Sequence, residues 1–385
     1  MSSPTSKRAG QVWAHVGQPF TATEFDVVII GAGRMGAALA LYLGQLGSGL
    51  PEHSLSVLLV EEGGLPNEEG ATILASGVWT TLDLPPAQHA RAEWTRQQLE
   101  TALGEVQFQP RPLVALYPDA EPEVQPTREV LAPFPEALAL IDPDRLPFAR
   151  LDAQAATYRP ASVALNAAQQ AIKLGVNLLL NTRATPSLGG VRLERLTVTN
   201  THQIVTHEVV QVRAGQVIVA AGAAGASLAE HSLGRHIPHA EAYMQYPQLA
   251  FASQSRTPTL RVGPLTLRPA HGQWTLEAQP AHRDPPNYQP CGGKLTGVPT
   301  GLRRELLELL VAQMEAVPAL ASEKLELGRS LSDIAGAWVS LNPFPAWQAL
   351  GDGVYLLQGG PNADTLGLSV AYELAGEVGK AACGV

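Results

Sequence analysis

Short runs of consecutive apolar, largely β-branched residues recur along the chain. Residues 26–30 open the series, with Val27, Val28, Ile29 and Ile30 uninterrupted, the pattern of a strand buried on both faces. Residues 55–60, 176–180, 216–222 and 354–357 repeat it. Between these runs the period becomes helical. Residues 37–46 predict a helix stopped by Gly47; residues 162–174 predict another, with Ser162 as N-cap and Gly175 as stop. Residues 87–103 set Ala90, Trp94, Leu99 and Leu103 near one helix face. Residues 191–212 alternate in two stretches around Asn200-Thr201-His202, which predicts a hairpin or small meander.

The texture changes elsewhere. Residues 109–150 hold nine prolines among apolar residues that need burial, which predicts edge strands and short helices. From 237 to 329, Tyr243, Tyr246, Phe251, Leu260, Val262, Leu265, Leu267 and Trp274 predict antiparallel strands with a face of their own. Residues 302–314 read as an amphipathic helix; residues 361–367 read as a loop before a last helix from 368 to about 382.

The chemistry begins after the first strand. Gly31-Ala32-Gly33-Arg34-Met35-Gly36 is a G-x-G-x-x-G turn between a strand and a helix. Its first Gly makes the turn, its second lets a pyrophosphate approach, and its third lets the helix pack on the strand. The free N–H groups of the helix start then face the phosphates. Glu61 ends the second strand, 25 residues past Gly36, where a carboxylate accepts from a ribose hydroxyl. NAD and FAD both remain open at this point. Small-residue segments at 70–77, 220–222 and 359–367 fall at or after further strands, so the dinucleotide domain is expected to be built from discontinuous pieces.

Composition narrows the rest. A net charge of −9 across 385 residues, without a basic cluster, argues against a nucleic-acid partner. Two cysteines, Cys291 and Cys383, fit a reducing compartment, and no apolar run is long enough to span a membrane. The start of the chain has no secretory apolar region, so a cytoplasmic protein is expected. His231, His236 and His239 lack metal-ligand spacing, and no metal is expected.

In number and order these motifs resemble the D-amino-acid oxidase family of FAD enzymes, which includes glycine and sarcosine oxidases. VVIIGAGRMG with LLVEE, GATILASGVW, NTRA with AGQVIVAAGAAG, LTLRPAHGQWTLEAQP, and WVSLNP with GVYLLQGGPNADTLGLS carry the resemblance, from residue 25 to the end. It implies an α/β fold: a Rossmann-like FAD-binding domain in discontinuous segments (25–85, 150–235 and 336–385) and a mixed or antiparallel α+β substrate domain (86–149 and 236–335). Residues 1–24 are expected to be a tail. FAD, bound non-covalently, would be held by Gly31, Gly33, Arg34, Met35, Gly36, Glu61 and Glu62 on the AMP side. Thr72, Ala75, Ser76 and Gly77 would line the flavin side, with Ala184, Ala221 and Gly222 flanking the cofactor. Gly360, Asn362, Thr365, Leu366 and Gly367 would meet the isoalloxazine.

The resemblance implies oxidation of a C–N bond in an amine or amino acid, by hydride transfer to flavin N5 with imine formation and hydrolysis. Oxygen or another acceptor would take the electrons. Oxidation of a C–OH substrate is the alternative; a catalytically silent FAD-binding subunit is a further one. The family's substrate-gripping Arg is replaced by Asn342. An Asn offers neutral hydrogen bonds where an Arg offers a charge-assisted pair. Arg268 and Tyr246 join Asn342 as substrate-positioning candidates, with Arg261 and Lys294 as further cations. No dedicated base stands out, which fits an amine that binds neutral. A homo-oligomer is left open.

Overall fold

The computed structural model describes residues 9–15, 17–48, 55–201, 203–279, 283–284, 302–327 and 334–383. His202, Cys291 and Lys294 lie outside them. The buried runs assemble into one nine-stranded sheet. Its parallel part places Val12–Trp13 beside Asn177–Leu179, then Val57–Val60, Glu24–Ile30 and Ile204–Val219. Val354–Gln358 pairs in parallel on Val217–Val219, with Ala346–Gly351 antiparallel beyond it. Ile204–Val219 is one strand of 16 residues, where two separate runs were expected. Its first half closes the hairpin with Gly190–Val198; its second half enters the parallel sheet.

Helices cover one face of this sheet. Arg34–Ser48, Pro160–Lys173 and Ala363–Cys383 bury Leu39, Leu43, Ala167, Ala171, Leu374 and Val378 against Val27, Ile29, Val57 and Leu59. Pro160 at the helix start moves the second helix ahead of the expected Ser162 cap, because proline supplies a ready first-turn φ. The opposite face packs Val28, Ile30, Leu58 and Val60 against the hairpin and the helix Ala224–Leu233.

Two segments sit differently from expectation. Part of the expected tail is packed on the sheet: Trp13 pairs with Leu179, and Phe20, 4% exposed, meets the Trp13 ring edge-on at 4.9 Å. The helix His89–Gln97 and the turn Gln98–Ala102 bury Ala92 and Leu99 in the core of the first sheet, although residues 86–149 were expected with the second.

A second, eight-stranded sheet is mostly antiparallel. It runs Leu325–Glu326, Gln248–Leu249, Gln273–Ala278, Leu265–Ala270, Thr259–Val262, Leu113–Tyr117, Phe148–Asp152 and Gln125–Pro126. Alternation gives it two unlike faces. Leu260, Val262, Leu265, Leu267, Trp274 and Leu276 bury one face under the helix Arg304–Gln313. Arg261, Thr266, Arg268, Thr275 and Glu277 occupy the other, and that face is polar. Among the described residues no helix is long and apolar enough to cross a membrane.

Candidate active site

The glycine-rich turn is shaped by three backbone approaches. Gly31 adopts φ +105°, and a Cβ there would meet the Ala220 carbonyl oxygen at 2.5 Å. A Cβ on Gly36 would come within 2.0 Å of the Gly31 carbonyl oxygen, so only glycine lets the helix start beneath the strand. Gly33 faces Thr72, whose Oγ1 accepts the Arg34 backbone N–H at 3.2 Å.

Glu61 is 6% exposed. One carboxylate oxygen accepts the Ala32 N–H at 2.7 Å; the other accepts Asn67 Nδ2 at 2.7 Å and the Gly63 N–H at 3.2 Å. An ionised carboxylate has about four acceptor positions, so one stays free for a hydroxyl.

The other end of the chain returns to this turn. Asp364, 5% exposed, stands in the first turn of the helix Ala363–Cys383. It forms an ion pair with Arg34. Its second oxygen accepts the Ser76 hydroxyl and the Gly77 N–H, both at 2.9 Å. The Tyr158 hydroxyl donates to the Asp364 carbonyl at 3.0 Å, and burial pushes its pKa up. A carboxylate in a first helical turn is favoured by the helix dipole, whereas Arg34 at the start of its own helix is not. Asp364 offsets that unfavourable cation.

Ser76 also lies beside Glu277 of the second sheet, and its hydroxyl favours the Glu277 carboxylate. Burial raises the Glu277 pKa; Ser76, Arg268, Arg34 and Arg261 hold it down to a lesser extent. Tyr246 is 7% exposed, and its pKa is pushed up by burial first and by Glu277 second. Arg268 has its pKa lowered by burial and raised in part by Glu277. A charged cluster of Arg34, Asp364, Ser76, Glu277 and Arg268 therefore joins the two sheets.

Beside it, Asp83 receives Arg150 at 3.0 Å and Arg261 at 2.8 Å. An open cleft of about 500 Å³ runs along Thr81, Asp83, His89, Arg150 and Asp152. Ser76, Glu277 and Arg268 do not line it; they are closed on one another.

The family profile described as FAD dependent oxidoreductase matches residues 26–360. The chain belongs to this family. It is an FAD-dependent oxidoreductase. In structure it is similar to L-amino acid deaminase from Proteus vulgaris (16% identity, TM-score 0.65, 96% of each chain covered). Glycine oxidase from Geobacillus kaustophilus is similar at 16% identity and TM-score 0.64, with 93% of this chain and 95% of that chain covered. L-α-glycerophosphate oxidase from Mycoplasma pneumoniae, with FAD bound, is similar at 15% identity and TM-score 0.65, covering 94% and 95%. No curated protein matches by sequence.

The glycine turn fits FAD on its own chemistry: three glycines without a Cβ, a helix N-terminus, and a Glu61 acceptor left over. Other anticipated residues are spread around it. Glu62 is tied to Arg183 at 2.8 Å, Ala75 caps the short helix Ala71–Leu74, and Ala184 is buried in the hairpin sheet. Ala221 and Gly222 follow the strand that pairs with Glu24–Ile30, and Gly222 takes φ +57°.

The C-terminal segment needs correction. Residues 363–367 belong to the helix, which begins at Ala363, not to a loop. Asn362 starts that helix, because its carbonyl accepts the Thr365 and Leu366 N–H groups and its side chain donates to the Pro343 carbonyl at 2.8 Å. Leu366 is consequently 1% exposed within the helical core, and a Cβ on Gly367 would meet the Met35 side chain at 3.2 Å. The Thr365 hydroxyl accepts the Thr80 N–H at 3.3 Å and donates to the Thr80 carbonyl at 3.2 Å. Gly360 is required by packing, since a Cβ would meet the Asn342 carbonyl oxygen at 2.0 Å.

Asn342 thus meets the C-terminal turn through its backbone. Arg268 and Tyr246 both lie beside Glu277. Glu277, Asp364 and Tyr158 escaped the sequence reading. Strand alternation sets Glu277 on the face opposite Leu276, but does not say what that face meets. Among the described residues no three His, Cys, Asp or Glu side chains gather as metal ligands. His239 instead bonds Ser227 at 2.8 Å.

Proposed function

We propose that this enzyme oxidises the C–N bond of an amino acid, with Arg268 holding the carboxylate and Glu277 facing the amino group. The observation that carries this reading is the pairing of Arg268 and Glu277 on one sheet face, next to Ser76 of the flavin-side segment. An arginine and a carboxylate side by side match the two charges of an amino acid. In this reading the segments around the first sheet hold FAD and the second sheet holds the substrate. Two of the three similar structures are named for amino-acid substrates.

FAD, when bound, supplies the hydride acceptor at N5, and oxygen or another acceptor removes the electrons. The chain's own groups prepare the substrate. An ammonium has no lone pair to assist loss of hydride from the neighbouring carbon. Glu277, with its pKa raised by burial, takes one ammonium proton. Ser76, whose hydroxyl donates to Asp364, stands beside Glu277. The C–H bond breaks with its electron pair, the C=N bond forms, and water releases a keto acid and ammonia. Tyr246, held protonated by burial, supplies a neutral hydroxyl beside Glu277. On this reading Glu277 is the base, where the sequence alone offered none.

Oxidation of a C–OH bond is the second reading, favoured by the likeness to glycerophosphate oxidase. Anaerobic mixing of the yellow holoenzyme with amino acids, simple amines, hydroxy acids and glycerol phosphate decides between them. Loss of oxidised-flavin absorbance with amino acids supports the proposal. Bleaching by hydroxy compounds alone overturns it.

A further inference from the structure

Arg268 has a companion on its sheet face. Leu113 stands opposite Thr259, and Leu260 opposite Leu267, which sets Thr259 beside Arg268 in the ladder. Arg111 stands just ahead of that strand, and its guanidinium reaches the Thr257 carbonyl, two residues before Thr259. Leu113 and Ala115 pack on Val78 and Ala155, so this side looks toward the segment that carries Ser76 and Gly77.

Three polar atoms on this patch are buried without a hydrogen-bond partner: Arg111 Nε, Thr259 Oγ1 and Arg268 Nε. Thr259 is 0% exposed. Burial lowers the pKa of both arginines, and the charge of Arg268 lowers that of Arg111 further. Two guanidiniums are thus held close enough to repel. Arg268 has Glu277 nearby. Arg111 donates to the Thr257 carbonyl, a neutral partner, while Glu136 is engaged by the Thr257 hydroxyl. Buried donors left unmatched beside a second cation are costly, and an anion would relieve both costs.

We infer that the substrate carries a second carboxylate, received by Arg111 and the Thr259 hydroxyl, so that the substrate class is a dicarboxylic amino compound. The inference rests on the proposed function, in which Arg268 takes the first carboxylate. The Arg268–Arg111 spacing then sets the substrate's length, and Glu277 faces an amino group lying between its ends.

Glutarate and butyrate, neither of which has a C–N bond to oxidise, test this as titrants of the holoenzyme followed by flavin absorbance and by calorimetry. Glutarate is expected to bind about tenfold tighter than butyrate, the yield of one charge-assisted pair. Arg111→Gln removes that advantage, and Arg111→Lys restores part of it. Thr259→Val, which keeps shape and fold, weakens glutarate about threefold, as loss of one neutral hydrogen bond does. Equal affinity of the two acids in the wild type overturns the inference, as does glycerol phosphate binding where glutarate does not. If glutarate shows the Arg111-dependent advantage but amino acids do not bleach the flavin, the C–N proposal fails alone. If amino acids bleach it and glutarate has no advantage, this inference fails alone.

Discussion

Arg34, inside the glycine-rich turn, forms a buried ion pair with Asp364, at the start of the last helix. The pair ties the glycine-rich turn to the last helix, and Asp364 also gathers Ser76 and Gly77. Two ends of the chain and the segment between two sheets thereby share one carboxylate.

Asp364→Ala leaves the Arg34 charge and the Ser76 and Gly77 donors buried and unmatched. We expect a loss of about 3 kcal/mol in urea unfolding of the holoenzyme. Arg34→Met combined with Asp364→Leu should recover part of that loss, since no uncompensated charge remains. A double variant as unstable as the single one would show that the pair is not what Asp364 contributes.

Glu277 links stability to pH. Its folded pKa is raised above the unfolded value, so wild type loses stability as pH rises through the folded pKa. Glu277→Gln carries no such penalty. Its melting temperature should match that of wild type below about pH 4, near the unfolded Glu value, and exceed it at neutral pH. A difference independent of pH would remove the titration from the account.

Arg268→Leu separates binding from chemistry. Amino acids should lose roughly a hundredfold in kcat/KM, mainly through KM, as when one partner of a buried charge pair is truncated. A simple amine without a carboxylate should be much less affected. Equal losses for both would place Arg268 in the fold and not in substrate binding.

Glycine positions differ in what they tolerate. Gly36→Ala drives a Cβ into the Gly31 carbonyl oxygen, a rigid backbone atom, and the purified protein should be colourless and destabilised by about 3 kcal/mol or more. Gly376→Ala, in the last helix with open space around it, should gain about 0.5–1 kcal/mol. Flavin absorbance and thermal melting check the two together.

Much of the fold is legible locally. The run Val27–Ile30, the glycine turn and the helix that follows depend on residues within a few positions of one another, and periodicity reports them directly. The hairpin at 191–212 and the second sheet's strands follow from alternation in the same way. The last helix was misplaced by one turn, because Gly367 reads as a breaker in sequence. In the structure it is a small residue that lets the helix approach Met35.

By itself, then, the sequence determined a parallel α/β sheet, a dinucleotide turn at Gly31–Gly36 and a second layer of strands, since each is written in short-range patterns of apolar and small residues. Only tertiary structure decided which charges meet. Arg34 and Asp364, Ser76 and Glu277, and Arg111 and Arg268 lie far apart in the chain. A strand's alternation tells which residues share a face, but not whether that face meets water, a ligand or an opposing charge. Burial between two sheets settles that, because removing water makes each pairing costly to leave unmade.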